Sequence, residues 1–196
     1  SGKTTLSKLL LHLYQVESGN ILINDNNIED IQLETLRDKI AYIPQETFLF
    51  SGSIFENLTL GLDDATMDEI IEASKKAQAH EFINKLPLRY ETRLEENGAN
   101  LSGGQRQRLA IARAMLKKPD ILILDEVLSV GDKKFRTKSE RKIMSMFEKG
   151  VTVLFVSHSL EQVCRLCDKA IILDSGVLVA KGPVDKVARI YKNMTE

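Results

Sequence analysis

The chain has 196 residues, which is long enough for one substantial core with a small additional lobe. Its apolar fraction of 43%, charged fraction of 28% and formal net charge of −1 are ordinary for a globular domain and give no electrostatic reason to bind nucleic acid or an anionic membrane. No apolar run approaches the roughly 18–20 residues of a membrane helix. The Ser-Gly-Lys start predicts no signal peptide, and two cysteines favour a reducing, cytoplasmic setting.

The first part of the chain predicts alternating helices and strands. Gly2-Lys3-Thr4-Thr5 opens a helical pattern whose leucines share one face as far as Leu13. A short strand is expected over residues 20–24 and a helix over 33–39. A second strand over 40–43 ends at a Pro-Gln pair.

Residues 46–118 contain helical and loop patterns but no convincing strand. Thr66 and Glu69 have the spacing of a capping box, which predicts a helix that ends near His80. We therefore expect a helical lobe over 46–118, inserted into an α/β core formed by 1–45 and 119–196.

The last helix of this lobe is expected to begin at Ser102. Gln105 lies three positions after Ser102, which is again the spacing of a capping box. Gly103 and Gly104 carry no side chains, so the N–H groups and the positive end of the helix dipole are open to a phosphate.

The remainder predicts a mostly parallel sheet. Residues 121–125 form a buried strand that ends in Asp125 and Glu126. The expected elements that follow are a helix over 133–148, a strand over 151–156, a helix over 159–166, strands over 170–173 and 177–180, and a helix over 184–193. Such alternation favours parallel strands with right-handed crossovers.

Two motifs point to nucleotide chemistry. Gly2-Lys3-Thr4 matches the end of a P-loop, whose lysine holds the β- and γ-phosphates and whose hydroxyl meets Mg²⁺. Asp125 suits Mg²⁺, and Glu126 can orient an attacking water. An exposed polar terminus and two solvated carboxylates are the alternatives.

Together these residues resemble an ABC transporter nucleotide-binding domain. The resemblance implies an α/β P-loop NTPase (RecA-like) core that lacks the N-terminal antiparallel strands. It implies ATP and Mg²⁺ as cofactors and a head-to-tail dimer in which Ser102, Gly103 and Gly104 reach the ATP of the opposite subunit. Gln45 then matches the Q-loop, and His158, after Phe155-Val156-Ser157, matches the switch histidine.

The resemblance implies a full set of site residues. Glu126 and His158 are expected to be catalytic. The nucleotide is expected to be held by Ser1, Gly2, Lys3, Thr4, Thr5, Gln45, Ser102, Gly103, Gly104, Gln105 and Asp125. Thr4, Gln45 and Asp125 are expected at the metal.

The expected function is ATP hydrolysis that drives export. The expected partners are a second nucleotide-binding domain and a transmembrane domain or subunit, on the cytoplasmic side of the plasma membrane, with no nucleic acid. Two alternatives are a catalytically incompetent fragment and a soluble ABC ATPase of DNA repair or translation.

The two ends of the chain resemble different branches of the family. Residues 1–126 are similar to peptide and bacteriocin exporters, as in Phe50-Ser51-Gly52-Ser53-Ile54. Residues 125–196 are similar to polysaccharide and teichoic-acid export ATPases, as in Val127-Leu128-Ser129-Val130-Gly131-Asp132. We hypothesise a chimera joined near Asp125-Glu126.

The start of the chain carries only the last part of the P-loop. The resemblance places the first glycine of that motif, an adenine-stacking aromatic and antiparallel strands before Ser1. Because the missing loop amides would bind phosphate, we expect this chain to bind ATP poorly and to expose apolar sheet.

Several features are expected to have no role in the site. Cys164 and Cys167 form a C-x-x-C without a second pair, which favours simple packing over a zinc or redox site. The basic residues from Lys133 to Lys142 are expected on the outer face of an amphipathic helix. No role is expected for His12 or His80.

Overall fold

The structure is a computed structural model that describes residues 2–62, 64–126 and 150–195. It divides into two compact units, the first made of residues 1–40 and 154–196 and the second of residues 41–153.

Helices and strands alternate along the described residues. In chain order the helices are α1 (Lys3–Leu10), α2 (Leu33–Lys39), α3 (Ile54–Leu58), α4 (Met67–Lys76), α5 (His80–Ile83), α6 (Gly103–Leu116), α7 (Leu160–Leu166) and α8 (Val184–Thr195). The strands are β1 (Leu22–Ile23), β2 (Asn26–Asn27), β3 (Ile40–Ile43), β4 (Gly52–Ser53), β5 (Arg93–Leu94), β6 (Ile121–Asp125), β7 (Thr152–Val156), β8 (Lys169–Asp174) and β9 (Val177–Pro183). Short 3-10 turns cover Ile28–Asp30, Arg89–Glu91 and Glu96–Gly98.

The first unit begins with α1 and a tight hairpin. Helix α1 ends at Leu10, before the expected Leu13, because His12 adopts a left-handed conformation with φ of 51°. Strands β1 and β2 pair antiparallel around Asn24 and Asp25, whose φ angles are 49° and 64°. Two left-handed residues in a two-residue loop match the twist of the strands that they join.

A longer hairpin and α8 complete the first unit. Strands β8 and β9 pair antiparallel from Lys169↔Pro183 to Asp174↔Val177, with a register shift at Ile172. Both strands are longer than expected because backbone pairing continues past the apolar residues that predicted them. Helix α8 contacts both strands and buries Val187 and Ala188.

The second unit is built around β6. The sheet order is β3–β6–β7, so the strand that ends at Asp125 is the central one. Its residues Leu122, Ile123 and Leu124 are fully buried, as a continuous apolar run predicts. The bounds of β3 and β6 are those expected from the sequence.

The prediction that residues 46–118 contain no strand is wrong. Strands β4 and β5 pair antiparallel, with Gly52 opposite Leu94 and Ser53 opposite Arg93. Two-residue strands are too short to show an alternating pattern, and their partner lies far away in the sequence. Helix α3 begins at Ser53 with a capping box to Glu56, which the sequence analysis also missed.

The two predicted capping boxes are confirmed. Thr66 with Glu69 begins α4, and Ser102 with Gln105 begins α6. Helix α4 ends at Lys76 and not near His80, because Gln78 is left-handed with φ of 58°. Helices α4 and α6 pack against each other.

Part of the predicted organisation lies beyond these observations. The helix expected over 133–148 falls outside the described residues, and the boundaries 46 and 118 of a helical lobe stay a prediction. Within 2–62, 64–126 and 150–195, no helix is long and apolar enough to cross a membrane.

Candidate functional site

The start of α1 is shaped by a glycine. Gly2 precedes the helix in a left-handed conformation with φ of 81°, and a Cβ there would lie 3.3 Å from the Cα of Gly176. Both the conformation and the close approach therefore require glycine. Thr4 and Thr5 are exposed in the first turn, while Ser1 lies outside the described residues.

Lys3 and His158 meet within the first unit. The Lys3 Nζ lies 3.0 Å from Nδ1 of His158. A lysine ammonium can only donate, so Nδ1 of His158 is the acceptor in this contact. The structure thus brings together Lys3, which was expected at the phosphates, and His158, which was expected to be catalytic.

Asp125 is held at the end of β6 by a residue that the sequence analysis missed. The Tyr42 hydroxyl donates to Asp125 Oδ2 at 3.1 Å, and Asp125 is 5% exposed. Burial, and then the charge and hydrogen bond of Asp125, raise the pKa of Tyr42 to about 12. Tyr42 therefore remains a hydrogen-bond donor at neutral pH. In the sequence, only the position of Tyr42 in the buried strand β3 indicated that it could have a role at the site.

Glu126 follows Asp125 in a left-handed conformation with φ of 52°. This conformation is uncommon for a residue other than glycine, and it turns the Glu126 side chain out of the strand's alternation. Gln45 Nε2 donates to Glu126 Oε2 at 3.1 Å. Two predicted site residues, separated by most of the second unit's sequence, are thus in contact.

The residues predicted at the metal have the chemistry that Mg²⁺ prefers. Thr4, Gln45 and Asp125 offer oxygen atoms, and Tyr42 engages only one of the two Asp125 oxygens in its hydrogen bond. Among the described residues no group of three or more His, Cys, Asp or Glu side chains could hold a metal by itself. Mg²⁺ is commonly bound by one or two protein carboxylates, with waters and substrate phosphates completing its shell. The oxygen donors of Gln45 and Asp125 in the second unit therefore fit this ion.

The start of α6 at Ser102 has a capping box, and the described residues leave space around its two glycines. Gln105 N donates to Ser102 Oγ at 3.3 Å, and Ser102 N donates to Gln105 Oε1 at 2.8 Å. A Cβ on Gly104 would meet no described atom within 4 Å, and one on Gly103 would meet only Arg106 Nη2 at 3.9 Å. Neither glycine has a positive φ. Packing against the described residues thus does not explain why glycine occupies these positions.

Three residues that were expected to have no role in the site are Cys164, Cys167 and His80. Cys164 is exposed and Cys167 is half-buried, and both are free thiols. Burial, followed by Asp168 and Cys164, raises the pKa of the Cys167 thiol. Packing therefore accounts for Cys167 better than for Cys164. His80 contacts Tyr90, with Nδ1 2.9 Å from the hydroxyl.

Comparison with known proteins assigns the family. The family model described as "ABC transporter" matches residues 1–129. The chain belongs to the ABC transporter family. It is 42% identical, over 99% of its length, to the lactococcin-G-processing and transport ATP-binding protein of Lactococcus lactis subsp. lactis, of which it covers 28%. It is 41% identical, over 100% of its length, to ABC transporter B family member 14 of Arabidopsis thaliana, of which it covers 16%.

A solved structure supports the same assignment. A bacterial Atm1-family ABC exporter with ATP bound is 33% identical, with a TM-score of 0.89 over 98% of this chain and 34% of that one. The predicted α/β P-loop NTPase fold is confirmed by this likeness. The ABC transporter chain spans 16–34% of the length of these relatives.

The predicted likeness to bacteriocin exporters is confirmed by the lactococcin G relative. Its alignment covers nearly all of the chain and thus both sides of residue 126. The junction at Asp125-Glu126 stays a prediction. Separate alignment of the two halves against each branch tests it, and the hypothesis fails if one intact relative matches equally well on both sides of residue 126.

Proposed function

We propose that this ABC transporter chain binds ATP with Mg²⁺ and hydrolyses it to drive export. The observation that carries the proposal is the end of β6, where Tyr42 holds the buried Asp125 and Gln45 holds Glu126. A central strand that ends in two separately held carboxylates is suited to separate duties, one toward a metal and one toward water.

The phosphates are assigned to the start of α1. Lys3 and His158 contact each other at 3.0 Å, and each can turn to donate a hydrogen bond to a phosphate oxygen. Backbone N–H groups of the first turn of α1 add donors at the positive end of the helix. Thr4, Gln45 and Asp125 would hold Mg²⁺, which when bound neutralises charge on the β- and γ-phosphate oxygens.

Glu126 is assigned to the attacking water. The water oxygen forms a bond to the γ-phosphorus while the bond from that phosphorus to the bridging oxygen breaks, which leaves ADP and inorganic phosphate. Glu126 accepts the proton that the water loses. Gln45 Nε2 donates to Glu126 Oε2, which supports a defined position for this carboxylate at the end of β6.

Ser102, Gly103 and Gly104 are assigned to the ATP of a second copy in a head-to-tail dimer. The absence of described atoms around Gly104 supports this role, because a side chain there would obstruct none of the residues that the structure describes. The N–H groups of α6 would then bind the γ-phosphate across the interface.

A transmembrane partner is assigned to an exposed aromatic pair, which we define as Phe48 and Phe50. The two side chains are 51% and 46% exposed, and their ring centroids lie 4.8 Å apart at 83°. Large exposed aromatic side chains are typical of docking positions. The protein would thereby act peripherally on the cytoplasmic face of the membrane.

The test is the rate of phosphate release from ATP in the Glu126→Gln variant. Because the amide cannot accept the proton, we expect kcat to fall about 100-fold or more. Glu34→Gln, an exposed change in α2, is the matched control and should match wild type. Equal rates in wild type and Glu126→Gln would contradict the proposal.

A further inference from the structure

A buried asparagine is hydrogen-bonded to the backbone of the aromatic pair. Asn57, in α3, is 2% exposed. Its Oδ1 accepts from the Phe50 N–H at 2.9 Å, while its Nδ2 donates to Phe50 O at 2.9 Å and to Ser53 O at 3.0 Å. One side chain therefore fixes both backbone polar groups of Phe50.

Arg113 joins this asparagine to α6. Its Nε donates to Asn57 O at 2.7 Å, its Nη2 to Asn57 Oδ1 at 3.3 Å, and its Nη1 to Phe48 O at 3.5 Å. All three acceptors are neutral oxygens, and burial lowers the pKa of Arg113 below its usual range. A planar guanidinium can hold three such acceptors in a fixed geometry, which a single ammonium cannot do.

Leu49 makes a second connection between the same segments. It lies between the two exposed aromatics, is 0% exposed, and would be 2.9 Å from a Cβ on Gly98. Gly98 precedes α6 and is left-handed, with φ of 62°. Arg106 of α6 donates to Leu101 O at 2.8 Å, which fastens the intervening loop.

We propose that Asn57 and Arg113 are positioning residues that fix the aromatic pair to α6, so that a partner docked on the pair moves the Ser102 end of that helix with it. Arg113 lies ten residues after Gly103, which is about 15 Å along a helix axis. An α-helix with a packed apolar face transmits such a displacement as a rigid element. This inference rests on the proposed function, which places the partner on the pair and phosphate at Ser102.

Amide hydrogen exchange of residues 48–51 tests the connection without ATP or a partner. Arg113→Lys keeps the positive charge and the helix propensity, but its single ammonium cannot reproduce the planar geometry in which the guanidinium holds the three acceptors. We expect exchange to be about tenfold faster in this segment, because local opening loses hydrogen bonds to a charged donor. Arg108→Lys is the matched control, since Arg108 lies on α6 and donates to Gln78 O. Equal exchange in the two variants would overturn the proposal.

Asn57→Asp is the second variant. It preserves the Oδ1 acceptor for the Phe50 N–H and removes the two Nδ2 donations. Faster exchange at residues 48–51 with unchanged far-UV circular dichroism supports the proposal, and wild-type exchange rates contradict it.

A double-mutant cycle in the protein with its membrane partner tests the consequence. The readout is the stimulation of ATP hydrolysis by transported substrate in Phe50→Ala, Arg113→Lys and the double variant. If Arg113 acts through the aromatic pair, the double variant loses no more stimulation than Phe50→Ala. Losses that multiply contradict the coupling. A wild-type protein that shows no ATP hydrolysis contradicts the proposed function instead, while the exchange result still decides the connection.

Discussion

Glu69 stabilises the start of α4 in two ways. It completes the capping box with Thr66, and Lys118 Nζ lies 2.9 Å from its Oε1. The hydrogen bond from Lys118, followed by those from Thr66, lowers the pKa of Glu69 to about 2. The charged carboxylate is therefore favoured in the folded state.

The pH dependence of unfolding tests this residue. A lowered pKa contributes stability that is present above the ordinary value of 4.5 and disappears as the pH falls towards 2. Glu69→Gln preserves the cap but not the charge, so wild type should be more stable at neutral pH, with the difference vanishing between pH 4.5 and 2. Denaturant unfolding across that range measures it. A difference that persists at pH 2 would rule out the ionic contribution.

Individual residues show where sequence reasoning reaches its limit. Lys3, Gln45, Asp125, Glu126 and His158 were found because each lies in a motif at the end of a helix or strand. Tyr42 was not found because its partner Asp125 lies 83 residues away and only the strand order brings the two together. Asn57 and Arg113 were missed for the same reason, since their network joins α3 to α6.

Among the connections between elements, two left-handed glycines can be compared because only one of them faces a buried side chain. Gly98 has φ of 62° and faces Leu49, whereas Gly61 has φ of 74° and no described atom within 4 Å of its Cβ position. Gly61→Ala should lose about 1 kcal/mol of unfolding free energy through backbone strain alone. Gly98→Ala should lose more, about 2–4 kcal/mol, because the added methyl group also displaces a buried leucine. Equal losses by thermal unfolding would contradict the Leu49 contact.

Helices and strands that have a local sequence pattern were predicted, and those that lack such a pattern were not. The apolar runs of β3 and β6 end at a proline and an acidic residue, and their bounds were correct. The capping boxes at Thr66 and Ser102 fixed two helix starts. Strands β4 and β5 depend on pairing between distant residues, which no local pattern shows.

At the scale of the whole molecule, Gly104→Ala separates folding from assembly. Because a Cβ there meets no described atom, alanine should leave the unfolding free energy unchanged or raise it by up to about 1 kcal/mol. The same methyl group should weaken ATP-dependent dimerisation measured by light scattering in a Glu126→Gln background. A marked loss of stability would indicate that Gly104 serves packing within the chain.

Complementation between two inactive variants shows whether the α6 start of one copy serves the ATP of another. Lys3→Ala removes a phosphate ligand of one site, and Gly104→Asp places a carboxylate where the phosphate of a second copy would bind. In a head-to-tail dimer, a mixed pair contains one intact site, so an equal mixture should recover about a quarter of the wild-type ATP hydrolysis. If the mixture remains as inactive as either variant alone, the α6 start does not serve the ATP of another copy.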